Sequence, residues 1–202
     1  IRPLGLAVAG PLLVIVGAWI LDDKIDGYAV AVVEKTGHEP SQSRVVKDVD
    51  AFVVGRVFQG LNIEEKRMLK RKLHPLFQPT NGQKTFVFNG GHVRFNDAVP
   101  DVWVAPIESF VLEVRTAGFY ESTDFYFFRT MDFPKITLIR EDKKWTECTT
   151  FNEFLAYEHE PEAVHLVANQ GDVSLNSDES YSESESGDHK KHCGSPDSDE
   201  GV

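Results

Sequence analysis

The sequence predicts a mainly β protein: an antiparallel β-sandwich with one or two short helices and a disordered acidic C-terminal tail. Three observations carry this expectation. Aromatic and β-branched residues outweigh flexible helix formers, with 14 Phe and 5 Tyr against 2 Met. From Thr85 onward apolar residues recur at a period of two between turn signals, at the spacing of a sandwich. After Asp172 apolar runs cease and Ser and acidic residues dominate, a composition that cannot bury enough surface to offset the entropy of folding. A chain of 202 residues suits a core over 1–173 with a tail over 174–202. It opens at Ile1 rather than Met, which reads as a piece or a processed product.

The elements follow in order. No residue from Leu4 to Leu21 is charged, which barely reaches membrane-spanning length. Gly5, Gly10, Pro11 and Gly17 interrupt a helix there, and Leu12–Val16 is a β-branched run of strand length, so a buried strand pair and a membrane segment both stay open. Asp22–Gly27 is a polar loop and Tyr28–Val33 a second strand, which together make a β-hairpin. Residues 36–50 read as a loop and Ala51–Phe58 as a short apolar segment ending near Gly60. Asn62 then caps a helix over Glu64–Leu73, with Glu64 and Glu65 in its first turn, cations in its last turns and Pro75 as its stop. Leu69 and Leu73 share its apolar face, extended by Leu61, Met68 and Leu76.

Beyond the helix, Thr85–Phe88 and His92–Phe95 flank an Asn89-Gly90-Gly91 turn, and Val102–Val104 is another short strand. Phe110–Arg115 and Asp124–Phe128 alternate as strands do, and Ile136–Ile139 and Trp145–Cys148 continue the pattern. Thr150 and Glu153 form a capping box for a short helix through Tyr157. In the tail, Ser180 and Ser182 each precede Glu by three residues, the setting of acid-directed phosphorylation.

Charge and motifs narrow the chemistry. The formal net charge is −11, yet residues 53–84 are net basic, and Lys66, Arg67, Lys70, Arg71 and Lys72 crowd into one stretch. Such a cluster attracts phosphate, although a plain solvated helix face explains it about as well. Arg94, Arg115, Arg129 and Arg140 lie on predicted strands and extend the patch if coplanar with the helix. Phe77 and exposed members of Phe125–Phe128 offer stacking surfaces that favour single strands. No His-Glu-x-x-His, Gly-x-Ser-x-Gly, Walker or dinucleotide glycine motif occurs, so no enzyme and no cofactor are expected. A hydrolase would need His92, Asp97 and Glu108 gathered in one cleft; Asp97, Asp101 and Glu108 otherwise read as ordinary loop carboxylates. His189, His192 and Cys193 read as tail residues before metal ligands. Cys148 and Cys193 lie too far apart in the chain for a disulfide framework or a zinc site, which suits a reducing compartment.

A resemblance accompanies these residues. Leu13-Val14-Ile15-Val16-Gly17-Ala18-Trp19, a short polar loop, Gly27 and Tyr28–Val33 resemble the first hairpin of the thirty-kilodalton superfamily of plant-virus movement proteins, most of all the tobamovirus type. Asp97-Ala98 with Val102-Trp103, then Thr116-Ala117-Gly118-Phe119 before an aromatic strand, resemble its central aspartate segment and the following strand pair. The acidic Ser-rich tail is similar to the phosphorylatable tails of that family. The likeness covers residues 4–35 and 85–130. It departs at Glu34, where the family has Asp, and across the long segment 36–84.

It implies a jelly-roll-type sandwich and a viral movement protein that binds single-stranded RNA without sequence preference and aids cell-to-cell transport. The nucleic acid would lie on Lys66, Arg67, Lys70, Arg71, Lys72 and Arg94. The implied partners are the endoplasmic reticulum membrane, host plasmodesmal proteins and other copies of the chain, and the implied location is host cytoplasm, endoplasmic reticulum membrane and plasmodesmata. The alternative is a membrane-anchored viral accessory or structural protein with a β interaction domain.

Overall fold

The computed structural model describes residues 10–35 and 49–157. Strands β1 (Leu12–Leu21), β2 (Lys24–Lys35) and β3 (Val49–Val57) form an antiparallel meander. β1 is long because both its edges are used: β2 pairs along one side, while the other is shared by β8 (Val111–Arg115) at Leu12–Val14 and β7 (Val102–Trp103) at Gly17–Ala18. The handover coincides with a register shift between Ile15 and Gly17, a bulge that bends the strand. β7 also carries the two-residue β4 (Gln78–Pro79).

The far ends of this sheet meet. β11 (Lys135–Ile139) runs antiparallel to β8, and its first residue makes a parallel bridge to Gln59, just past β3. The amide of Ile136 donates to the Gln59 carbonyl at 2.8 Å. The circuit β1-β2-β3-β11-β8-β1 is therefore a closed curl. Two packed sheets of jelly-roll type are not what the described residues form: β5 (Thr85–Phe88) and β6 (Gly91–Arg94) extend the same sheet beyond β3, with β6 parallel to it. A separate ribbon pairs β9 (Gly118–Glu121) with β10 (Arg129–Asp132).

Burial explains why the first strands read as continuous apolar runs. Leu13, Ile15, Val30, Val32, Val54, Leu112, Val114 and Ile136 form one buried cluster; since it draws on every strand of the closed circuit, it fills the inside of the curl. The alternate residues Val14, Val16, Ala29, Ala31 and Val53 join Phe86, Val93, Phe95 and Trp103 in a second cluster on the outer face. A strand buried on both faces loses its polar alternation. The uncharged opening is thus sheet from Leu12 on, and no helix among the described residues is long and apolar enough to cross a membrane.

Helix α1 (Ile63–Leu73) starts as expected. The Asn62 side chain accepts from the Glu65 amide at 2.9 Å, and Glu65 accepts from the Asn62 amide at 2.8 Å. Leu69 and Leu73, both fully buried, anchor it on the inner cluster. The Thr150–Glu153 box likewise opens α2 (Phe151–Ala156), which buries Phe154. Two expected strands are absent. Tyr126–Phe128 is a 3-10 turn in which Phe127 and Phe128 take φ of 62° and 56°, and Trp145–Glu147 is also a 3-10 turn. The tail 174–202 and most of the 36–50 loop lie outside the described residues.

A buried ionic group locks the parallel seam between β3 and β6. Asp50, 2% exposed, accepts from the His92 amide at 3.0 Å and from Arg94 Nε at 2.8 Å, and its Oδ1 lies 2.9 Å from His92 Nδ1. Burial by itself would raise the Asp50 carboxyl; the hydrogen bonds from Arg94 and His92 outweigh it and hold the group below the usual carboxylate range.

Two predictions follow from these constraints. Gly60 has φ +109°, and a Cβ there would lie 2.0 Å from the Ile136 carbonyl oxygen, so Gly60→Ala should lose about 2–3 kcal/mol in urea unfolding by prising open the closure. Asp50 favours its charged form in the folded state. Its contribution is therefore present above the unfolded value of about 3.9 and lost as pH falls through the lower folded value. Asp50→Asn should cost about 2 kcal/mol at pH 7, and its unfolding free energy should fall less between pH 5 and pH 2 than that of the parent.

Candidate nucleic-acid interface

The apolar anchors of α1 decide where its cations go. With Leu69 and Leu73 buried and Met68 half-buried, Lys66, Arg67, Lys70, Arg71 and Lys72 are all exposed. Arg67 is held by Glu64 at 2.8 Å. Lys66 and Lys70, one turn apart, instead face Lys24 at the start of β2 across a groove of about 140 Å³ whose floor is Ile25, Tyr28, Phe58 and Leu61. None of these three lysines is ion-paired among the described residues, and the Lys66 ammonium lies 5.2 Å from the centre of the Phe58 ring. Burial pushes the Tyr28 hydroxyl up to about 12, so it stays neutral beside them. Around the helix, Arg67, Lys70, Arg71 and His74 border a shallower depression of about 410 Å³.

Phe58 also forms a wall of a second cleft, of about 440 Å³. Its sides come from Asp26 on β2, Arg56 on β3, and Tyr120, Asp132 and Phe133 on and after the β9–β10 ribbon. Arg56 donates to the Asp26 carboxylate and, at 3.1 Å, to the Asp26 carbonyl, while its guanidinium sits 5.0 Å from the Trp19 ring centre. Its charge is spent locally. The aromatic walls are open: Phe58 is 47%, Tyr120 50% and Phe133 79% exposed.

The structure brings together five of the predicted binding residues, Lys66, Arg67, Lys70, Arg71 and Lys72, on one helix, and separates the sixth. Arg94 is half-buried on β6 and committed to Asp50. Arg115 is exposed on β8, and Arg140 is bound to Asp142 at 2.7 Å; Arg129 is half-buried on β10. Phe77 packs against the inner cluster, and Phe127 stacks on Phe151 at 3.8 Å, so neither is free to stack on a base, while Phe128 is the exposed member of its run. His92 faces Asp50, and Asp97 is bound to Lys84 at 2.7 Å, so His92, Asp97 and Glu108 are not gathered into one site. Among the described residues, no group of His, Cys, Asp and Glu is placed to hold a metal ion. Burial, with Glu147 nearby, pushes the Cys148 thiol up to about 12. Ser180, Ser182, His189, His192 and Cys193 lie outside the described residues.

Sequence reasoning missed Lys24, Phe58, Tyr120 and Phe133. Phe58 and Phe133 lie just past strand ends, Tyr120 lies in the four-residue β9, and Lys24 opens β2 beside a polar turn, so none carries a local periodicity. The one signal available was the presence of large aromatics beside Gly60 and Pro134, where turn residues interrupt packing.

No family model matches the chain. It is 38% identical to DNA ligase 4 of Phaeosphaeria nodorum over 66 residues, covering 32% of this chain and 7% of that protein. It is 34% identical to DNA ligase 4 of Gallus gallus over 97 residues, covering 48% and 10%. With human DNA ligase 4 the identity is 24% over 147 residues, covering 70% of this chain and 15% of that protein. The chain thus spans a minor part of the relatives it matches. These matches overturn the likeness to viral movement proteins and, with it, cell-to-cell transport, single-stranded RNA, the endoplasmic reticulum membrane, plasmodesmal partners and the viral accessory alternative. The likeness rested on sparse hydrophobic patterns over 4–35 and 85–130, and its first hairpin is buried on both faces here without forming that family's fold. The chain is similar, over parts of its length, to DNA ligase 4.

Proposed function

We propose that this chain is a barrel domain that holds DNA, acting as one part of a DNA-ligase-4-like protein. The closed circuit β1-β2-β3-β11-β8, with α1 between its third and fourth strands, supports reading it as an OB-type barrel. Such barrels bind oligonucleotides on strands two and three and on the loops joining strands one to two and four to five. The aromatic cleft falls on that surface, and the lysine groove adjoins it at Phe58 while taking Lys66 and Lys70 from α1. Lys24, Asp26 and Tyr28 come from the second strand, Arg56 and Phe58 from the third and just beyond it, and Tyr120 and Phe133 from the excursion between the fourth and fifth.

The observation that carries the reading is the meeting, at Phe58, of three unpaired lysines with an open aromatic cleft. The lysines suit backbone phosphates, whose release of counterions supplies most sequence-independent affinity. The relatives' names support taking the nucleic acid to be DNA. In this reading the chain supplies grip and position, and is not itself an enzyme.

A titration of labelled duplex DNA with the chain across a salt series tests this. The logarithm of affinity should fall with the logarithm of salt at a slope of about −0.9 per phosphate neutralised, so about −3 for the lysine groove. Lys66→Glu with Lys70→Glu should weaken binding by at least about tenfold at low salt and flatten the slope by about two. Binding that ignores both the salt and the double substitution would sink the proposal.

A further inference from the structure

We infer that the cleft between Phe58, Tyr120 and Phe133 is a receptor for an unpaired base at a DNA end. The inference rests on the DNA-holding reading and names what the second groove is for. The two grooves that share Phe58 have opposite electrostatic characters. On one side stand Lys24, Lys66 and Lys70 without acidic partners. On the other, Arg56 is neutralised by Asp26, and Asp132 adds a further negative charge. A phosphate is drawn to the first side and repelled by the second. What the second side offers is aromatic surface, in a cleft of about 440 Å³, within the range of about 300–1,000 Å³ typical of ligand pockets.

Three details fit a base. Phe58, Tyr120 and Phe133 expose their rings, although the outer and inner clusters take up most other aromatics of the described residues. Phe133 holds φ of +45°, a conformation costly for a bulky residue, and strain of this kind collects at ligand sites. Gln59, exposed at the rim, carries both a donor and an acceptor, which serves any base edge. A base inside a duplex already has both faces covered by its neighbours. An unpaired base at an end has a free face, and turning it past Phe58 leaves its phosphate on the lysine side.

The test compares a blunt duplex with the same duplex ending in an unpaired dinucleotide that carries 2-aminopurine, using anisotropy for affinity and 2-aminopurine emission for stacking. The parent chain should prefer the overhang by about tenfold, the worth of one base stack on an aromatic ring, and quench its emission. Phe133→Ala and Tyr120→Ala should shrink the overhang-to-blunt affinity ratio to about twofold or less and abolish the quenching. Phe133→Trp should keep the preference. Lys66→Glu with Lys70→Glu should weaken both ligands alike. Equal affinity of the parent for both duplexes, or a preference untouched by Phe133→Ala and Tyr120→Ala, overturns the inference alone. Failure of the parent to bind even the blunt duplex overturns the DNA-holding reading together with it.

Discussion

A sheet this strongly bent must either leave two open edges or join them, and here the join is one backbone hydrogen bond, from the Ile136 amide to the Gln59 carbonyl. Its position matters more than its strength. It falls between Val57, the last residue of β3, and Asn62, the cap of α1. Phe58 is therefore pinned from both sides: Val57 is fully buried and Gln59 is bonded across the seam. A residue that must project between two such neighbours has little freedom to turn inward. It becomes the ridge between the lysine groove and the aromatic cleft. The glycine that follows lets the chain pass the Ile136 carbonyl without a clash, so closure, ridge and helix start form one unit of the chain.

The charge pattern follows from the same geometry. A net charge of −11 argues against nucleic-acid binding when spread evenly, but a Debye length of about 8 Å at physiological salt makes the local arrangement decisive. The apolar stripe of α1, Leu69 and Leu73, turns Lys66 and Lys70 toward the start of β2, and the hairpin between β1 and β2 brings Lys24 to meet them. Three acidic groups nearby are occupied: Glu64 holds Arg67, Glu65 closes the helix cap, and Asp26 holds Arg56. Asp22 and Asp23 lie beside Lys24 in the β1–β2 turn without forming an ion pair with it.

What was legible in the sequence was local. Asn62 with Glu65 and Thr150 with Glu153 announce helix starts because cap and partner sit three residues apart. The first hairpin and the Asn89–Gly91 turn are legible for the same reason. The closure was not, because Gln59 and Ile136 are far apart in the chain and neither carries a pattern. Arg94 looked like a free cation on a strand, and the buried carboxylate that claims it lies 44 residues away. The likeness to movement proteins failed on the same ground: hydrophobic pattern records that a strand is buried on both faces and says nothing of which fold buries it.

The aromatic stretch before β10 shows how a period of two misleads. Alternation over Phe125–Phe128 reads as a strand, yet these rings have partners in different directions. Tyr126 meets Phe52 edge-on at 5.0 Å, Phe127 stacks on Phe151 at 3.8 Å, and Phe125 packs on the outer cluster. An extended backbone sends alternate side chains to two opposite faces only. Serving these partners requires a turn, and the backbone provides it by placing Phe127 and Phe128 in the left-handed region. The stretch thus satisfies packing by giving up strand geometry. Tyr120 and Phe133, at the two ends of the ribbon it connects, have no comparable ring partner among the described residues and stay exposed. Of the rings that packing leaves exposed, Phe58, Tyr120 and Phe133 line the cleft, and Phe128, 65% exposed, lies outside it.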